Sequence, residues 1–589
     1  MSLFSELKRR NVFKVAGAYL VVAWVVIQVA DVVAPQLSLP EWAPRFVTLL
    51  VLLGFPLALV LAWIFDITPE GIRAEATSGS KRVFVVGTVV AVAVLGWYVP
   101  RLTQGSRAAE DARSIAVLPF VNMSGDPEQE YFSDGISEEI LNVLARSPEL
   151  RVAARTSSFA FKGQNMDVPD IARALEVGMV LEGSVRQQGE RVRITAQLID
   201  AESGFHVWSE TYDRELKDIF AVQDEIAGAI GAELKIRVGG DRPTGSDHAA
   251  TVDPEAYDLY LRGLALWQTR SDNNLLDALD LLERATALDP GFARAYVGLA
   301  LVYSVIPDYT TQVSYEDAFA LGRDAAERAL ALDPGLPEAF ASLGNIAFSA
   351  GRKATGLALL ERAILLNPSF ASARQWLGMN LMTVGRLEEG LASLERAHEL
   401  DPQSSIVADN YAIALLVAER YPQAIEVCEA TLEAQTEGWL CTTGDTMARL
   451  HESGLAGARD AMLKWATRAG PGPLRQAEAL LAALEGRGDR RAIARELAAL
   501  PIRSGTDADA GVLFSLQDTP SLLMLLGETE LAMDYLERAV AVRYGAPEWG
   551  MALPWMDPVR CEPRFRDFAE QLGMVDPRYE KVCGGAKAP

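Results

Sequence analysis

"LGNIAFSAGRKATGLALLERAILLNP" (Leu343–Pro368) and "LGMNLMTVGRLEEGLASLERAHELDP" (Leu377–Pro402) are one text written twice, 34 residues apart. Small and large apolar residues fall at matched places: Leu343, Gly344, Gly356, Leu360 and Ala363, then Leu377, Gly378, Gly390, Leu394 and Ala397. This spacing predicts two short amphipathic helices per unit, with glycine tolerated where close helix approach offsets its poor helix propensity. Each unit ends on proline. "ALDP" closes at Pro290 and Pro334, "LLNP" at Pro368 and "ELDP" at Pro402, giving intervals of 44, 34 and 34 residues. The longer interval is one unit plus a loop extension, "PDYTTQVSYE".

A 34-residue period with a terminal proline is the signature of tetratricopeptide (TPR) repeats. The array is expected over 254–470. Its first unit is Asp253–Pro290, with Ala278, Leu282 and Ala285 in register, and a later one is Ser404–Ala434, with Cys428 at a packed position. "GPGP" after Ala469 breaks the run, and 471–589 is expected as a helical, TPR-like region with a pair over Leu474–Leu500 and a repeat-like stretch over Leu525–Arg543. Stacked units form a superhelix whose first helices line a concave groove able to hold a peptide or partner domain. By register the groove-facing residues are Tyr260, Trp267, Asn345, Phe348, Gln375, Met379, Met382 and Asp409. For each, ordinary packing is the competing reading. Asn345 resembles the Asn of TPR domains that clamp a terminal carboxylate, but the basic companions of that clamp are missing.

Upstream, 105–238 changes to short strands and amphipathic helices. Ile115–Phe120 and Leu150–Ala154 read as strands, Ile136–Ala145 as a helix, and Met179–Arg186, Arg191–Asp200 and Phe205–Thr211 as a meander. In the middle strand Val192, Ile194, Ala196 and Leu198 should point inward. Asp218–Ile236 closes the domain, and 239–253 is a linker. The acidic stretch "SGDPEQEYFSDG" (Ser124–Gly135) raises the prospect of a metal or active site. Its acids lack the alternate spacing of a calcium loop, and no His, Cys or Lys completes an acid–base set. The preferred reading is that Ser133 or Asp134 caps the helix, with Glu138 and Glu139 against its N-terminal dipole.

"SIAVLPFVNMSGDPEQEYFSDGISEEI" and "ALEVGMVLEGSVRQQGERVRITAQLIDAESGFHVWSETYDRELKDIFAVQDEIA" resemble the TolB-like N-terminal domain, joined to TPR repeats in a broad bacterial family. "FSELKRRNVFKVAGAYLVVAW" and "LAWIFDITPEGI" resemble that family's multi-pass inner-membrane module. Relatives carry the same tail behind DNA-binding or nucleotide-cyclase domains, and here it follows the membrane module alone. The resemblance implies a multidomain fold class: N-terminal transmembrane α-helices, an α+β TolB-like domain, then an all-α TPR superhelix.

The membrane module, 1–104, has three apolar segments: 12–33, 46–65 and 83–99. The second runs uncharged for the length that crosses about 30 Å of hydrocarbon. Lys8, Arg9 and Arg10 precede the first and Arg73, Lys81 and Arg82 precede the third, so both basic segments belong in the cytoplasm. Three crossings then leave the soluble domains in the periplasm; if the third segment fails to cross, they are cytoplasmic. The chain carries a formal charge of −24. Its first hundred residues hold eight bases against six acids, so the acidity belongs to the later domains, which offer no basic face for nucleic acid.

Four scattered His and the lack of a P-loop motif give no metal, cofactor or catalytic expectation. Cys561 with Cys583, and Cys428 with Cys441, are possible disulfides in a periplasmic domain, each against the alternative of free buried thiols. The expected function is a non-enzymatic, membrane-anchored scaffold that binds protein partners through its TPR groove and TolB-like domain. The alternative is a transmembrane signalling receptor whose ectodomain senses a ligand or partner.

Overall fold

The computed structural model describes residues 19, 22–24, 26, 65–68, 71–74, 113–164, 166–234, 252–269, 272–310, 312–434, 439–500, 519–542 and 547–584. The chain divides into two compact units, Met1–Glu110 and Asp111–Pro589. In the first, residues 19, 22–24 and 26 are helical, and β1 (Phe65–Thr68) pairs antiparallel with β2 (Gly71–Ala74). The expected spans 12–33, 46–65 and 83–99 lie outside the described residues apart from these scattered positions. Among the described residues, no helix is long and apolar enough to cross a membrane.

The second unit opens with a mixed sheet. β3 (Ser114–Val117) lies parallel between β5 (Arg151–Val152) and β6 (Met179–Gln188). β4 (Val121–Asn122) takes up the same edge of β6 further along. β7 (Arg191–Asp200) and β8 (His206–Glu215) complete an antiparallel meander, with an irregularity at Leu198/Ile199. Alternation sets the faces as expected: Val192, Ile194, Ala196 and Leu198 are buried, while Arg191 and Arg193 reach out to Asp213 at 2.5 and 2.6 Å. Gly183 in β6 makes room for the ring of Phe120, which would stand 2.7 Å from a Cβ placed there. Helices α1 (Glu130–Ala145) and α4 (Ile219–Glu233) cover the inner face, and α3 (Val168–Ala174) packs Ile171 and Ala172 on the other. Ile219, Val222, Ile226 and Ile230 form the buried stripe of α4, at helical spacing.

Helix pairs follow in the expected places. They are α5 (Pro254–Thr269) with α6 (Asp272–Leu288), α7 (Ala293–Tyr303) with α8 (Tyr315–Leu332), and α9 (Pro337–Ser349) with α10 (Lys353–Leu366). Then come α11 (Ala371–Thr383) with α12 (Leu387–Leu400), and α13 (Ser405–Val417) with α14 (Tyr421–Ala434). The glycines interlock reciprocally: a Cβ on Gly378 would sit 2.9 Å from the carbonyl oxygen of Gly390, and one on Gly390 2.7 Å from that of Gly378. Leu394, fully buried, fills the remaining space over Gly378, and truncating it to Ala should cost about 2–5 kcal/mol.

Past the array, α15 (Trp439–Ala469) is broken at Gly454, where φ is 67°. α16 (Pro471–Leu484), α17 (Arg490–Ala498), α18 (Thr519–Leu525) and α19 (Thr529–Val542) share a smaller core with both halves of α15. The tail, α20 (Pro547–Ala552), α21 (Pro563–Leu572) and α22 (Tyr579–Cys583), does not continue the stack. It turns back onto the middle of the array, where Val575 N–H donates to the Thr383 carbonyl at 2.9 Å and Arg578 to that of Val417 at 3.0 Å. Arg560, fully buried, anchors this return through Asp576, Asp557 and the carbonyls of Met551 and Leu553.

The expected separation into an α+β domain (105–238), a linker (239–253) and a TPR array (254–470) takes a different form. Most of the linker lies outside the described residues, but Val252 is buried. One apolar core runs from Ile115 in the sheet through Tyr257 and Phe292 to Trp376 in α11. The domain and the first repeats are one folded body because α1 is buried on two sides. Ile136, Ile140 and Leu144 serve the sheet, and Gly135 meets Leu261 of α5 so closely that a Cβ would lie 2.6 Å from its methyl.

Candidate functional site: the wall between the α+β domain and the array

The acidic stretch at Ser124–Gly135 resolves into this wall. Asp126 caps a short 3-10 turn, accepting from Glu128 N–H at 3.0 Å, and α1 starts at Glu130 without a side-chain cap. The expected capping by Ser133 or Asp134 is therefore corrected. Ser133 is buried one turn inside the helix, and Asp134 pairs with Lys162 at 2.6 Å. Burial still raises the Asp134 carboxyl, with Lys162 pulling it back. Glu138 and Glu139 sit in mid-helix and face partners supplied by distant sequence.

Glu138 accepts from Arg155 of α2 (Arg155–Phe159) at 2.7 Å and from Gln268 of α5 at 3.1 Å. Glu139, 1% exposed, accepts the Tyr260 hydroxyl at 2.6 Å and pairs with Arg294 of α7. Burial pushes Tyr260 well above its ordinary range, with the Glu138 charge adding to it, and lowers Arg294. Tyr131 binds Asp258 and stacks under Arg262. At the far end, α2 docks on the α12–α13 turn. Ser157 donates its N–H and hydroxyl to Asp401 at 3.0 and 2.7 Å, and Ala154 N–H donates to the Leu400 carbonyl at 3.0 Å. Burial raises the Asp401 carboxyl to about 6 against the lowering pull of Ser157 and Thr156.

The wall is not sealed throughout. Between α1–α2 and the array lies a cavity of about 280 Å3, lined on one side by Asn142 and Arg146 and on the other by Trp267, Gln375 and Ile406.

Of the eight groove residues expected from register, Tyr260, Trp267 and Gln375 are brought together here, on the array's inner wall and against the chain's own α+β domain. The other five are spent within the array. Asn345 donates to the Ser304 carbonyl at 3.3 Å, and Phe348 packs on Gly356 and Leu381. Met379 and Met382 are buried with Leu394 and Tyr411, and Asp409 accepts from Cys441 N–H at 2.8 Å. Glu139, Arg294, Ser157 and Asp401 were missed by register reasoning. The available signal was α1 itself, a helix buried nearly all round, which needs a second neighbour besides its sheet.

Cys561 and Cys583 form a disulfide. Cys428 and Cys441 do not, which corrects that possibility. They are free thiols buried beside Trp465, held up in pKa by burial, and they hydrogen-bond each other.

No family model matches the chain. Over 199 residues it is 45% identical to a Rhizobium meliloti (strain 1021) protein named "Putative adenylate cyclase 3", covering 34% of this chain and 34% of that protein. The chain thus spans about a third of the length of that curated relative. Among solved structures it is similar to a tetratricopeptide repeat protein from Parabacteroides merdae ATCC 43184, at 12% identity and TM-score 0.31, covering 47% of this chain and all of that one. It is also similar to Pseudomonas aeruginosa PilF, at 18% identity and TM-score 0.30, covering 38% of this chain and 97% of that one. The repeat assignment itself rests on the 34-residue spacing and the interlocked helix pairs. This is a mostly helical, TPR-built chain with a mixed-sheet domain seated in its array.

Proposed function

We propose that this chain is a membrane-anchored, non-enzymatic scaffold, with a TolB-like domain and a TPR array held in the periplasm and binding protein partners. The observation that carries the proposal is the wall itself. The array's inner face buries a folded element, α1–α2, through side-chain-specific contacts such as Tyr260–Glu139 and Asp401–Ser157. A surface that recognises protein in cis has the chemistry to do so in trans. Partners that use Tyr260, Trp267 or Gln375 must displace α1, so binding there competes with the chain's own domain. The Cys561–Cys583 bond supports an oxidising compartment, and the uncharged 46–65 segment supports the anchor.

A second reading, a receptor that passes a signal through the membrane module, is favoured by the charged contacts of the wall, which could be remade between two states. Crosslinking in cells followed by pull-down separates the two. A partner set constant across growth conditions supports the scaffold, and stimulus-gated exchange supports the receptor. Turnover by the purified chain, lost on one carboxylate substitution within 124–139, would overturn both. A C-terminal reporter active only in the periplasm tests the compartment.

A further inference from the structure

We propose that the cavity between α1–α2 and the inner wall of the array binds a small organic anion, a carboxylate or phosphate carried on an apolar body. Three long helices, α9, α11 and α13, bring their first turns to this space, where Glu338, Ala371, Ser372, Ser405 and Ile406 line it. The first N–H groups of a helix lack intrahelical acceptors and carry partial positive charge, which suits an anion. No side chain caps α9 or α11, and the Ser404 hydroxyl takes the Val407 N–H of α13, leaving those of Ser405 and Ile406.

Two further groups point to a ligand independently. Gln375, 6% exposed, lines the cavity, and its side-chain amide has no hydrogen-bond partner among the described residues. The Arg146 guanidinium has neither ion pair nor hydrogen bond among the described residues, and its Nε is buried. Buried polar groups are ordinarily satisfied, so a pair left open on one cavity marks a place for an acceptor. Three of the four acids around it are engaged elsewhere. Glu138 is held by Arg155 and Gln268, Glu139 by Tyr260 and Arg294, and Asp401 by Ser157, while the fourth, Glu338, makes no ion pair among the described residues and acts through its charge on Arg294. Arg146 is left as the cation without a counter-charge. Leu141, Leu264, Trp267 and Leu301 supply the apolar lining. At about 280 Å3 the space is near the small end of ligand pockets, enough for one ring and its head group. A ligand touching both walls would hold the α+β domain on the array by mass action. The inference does not depend on the scaffold reading.

Calorimetric titration of the purified full chain with phenyl phosphate and with benzoate tests it, inorganic phosphate serving as the head group alone. One of the two aromatic probes should saturate at one site per chain; the tighter of them names the head group, and inorganic phosphate should bind more weakly. Arg146→Gln and Gln375→Leu should each weaken that binding about tenfold, or roughly 1.4 kcal/mol, with Arg146→Lys recovering part of the loss and Arg396→Gln, on the surface, changing nothing. Melting curves establish that the variants are folded. Failure of both aromatic probes to saturate, or affinity unchanged in folded Arg146→Gln and Gln375→Leu, overturns the proposal.

Discussion

Replacing Asp401 by Asn should abolish a pH dependence built into the contact between α2 and the array. Burial lifts the Asp401 carboxyl from 3.8 to about 6. Between about pH 4 and about pH 6 the folded chain therefore holds a proton that the unfolded chain has released. Because the folded pKa is the higher one, the stabilisation is complete below about pH 4 and disappears as pH rises through about 6. Roughly two pKa units at 1.36 kcal/mol each set the amplitude near 3 kcal/mol. An amide fits the site. Asn367 holds the equivalent place one repeat earlier, where its Oδ1 accepts from Ser369 N–H at 3.0 Å, and the side-chain oxygen of the Asp401→Asn variant can go on accepting from Ser157 in the same way. Arg155 is the charged neighbour that faces the carboxyl, and it pulls the pKa down. Urea unfolding of both proteins, from about pH 4 to about pH 7.5, gives the difference between their stabilities, in which carboxylates common to both cancel. That difference should shift by about 3 kcal/mol in favour of Asp401→Asn towards neutral pH. A difference flat across the window would refute the reasoning.

Gly135→Val should wedge α1 off Leu261, raising proteolysis within 130–160 while the array's helical signal persists, because the added Cβ alone would lie 2.6 Å from a Leu261 methyl. Glu139→Ala leaves Arg294 buried without its partner and should cost about 3–5 kcal/mol in urea unfolding, with Glu139→Ala/Arg294→Met recovering most of it. Cys561→Ser/Cys583→Ser opens a loop with a sequence separation of 22 and should lose about 3 kcal/mol, read as the stability lost on reduction of the wild type and absent in the variant. Arg560→Ala, which strands buried Asp576, should release the tail from Thr383, exposing the Val575 amide to hydrogen exchange.

The repeat units were legible because their information is local. Pro290, Pro334, Pro368 and Pro402 mark helix ends, and the Gly378–Gly390 approach is encoded within one unit. The meander was legible for the same reason, Val192, Ile194, Ala196 and Leu198 announcing a face by period alone. The filling of the groove was not. Glu130, Asp134, Glu138 and Glu139 look like an unneutralised acidic run because their cations, Arg155, Lys162 and Arg294, come from other elements. Register put Phe348, Met382 and Asp409 on an inner wall, but a helix buried on several sides gives no periodic cue to which neighbour each side chain meets. The Cys pairs show the same limit, since Cys428 and Cys441 are close in sequence and in space yet remain thiols.

The bonds from Ser157 to Asp401 join residues 244 positions apart, and this sets an order of events during synthesis. A ribosome completes α1 and α2 long before it has made the turn that receives them, so Glu139 and the outer side of α1 wait in water for helices not yet translated. Long-range closure of this kind slows folding. The newborn N-terminal part, acidic and half-covered, should therefore depend on a holding factor until the fourth repeat emerges, and truncations ending before Asp401 should accumulate as degradation products.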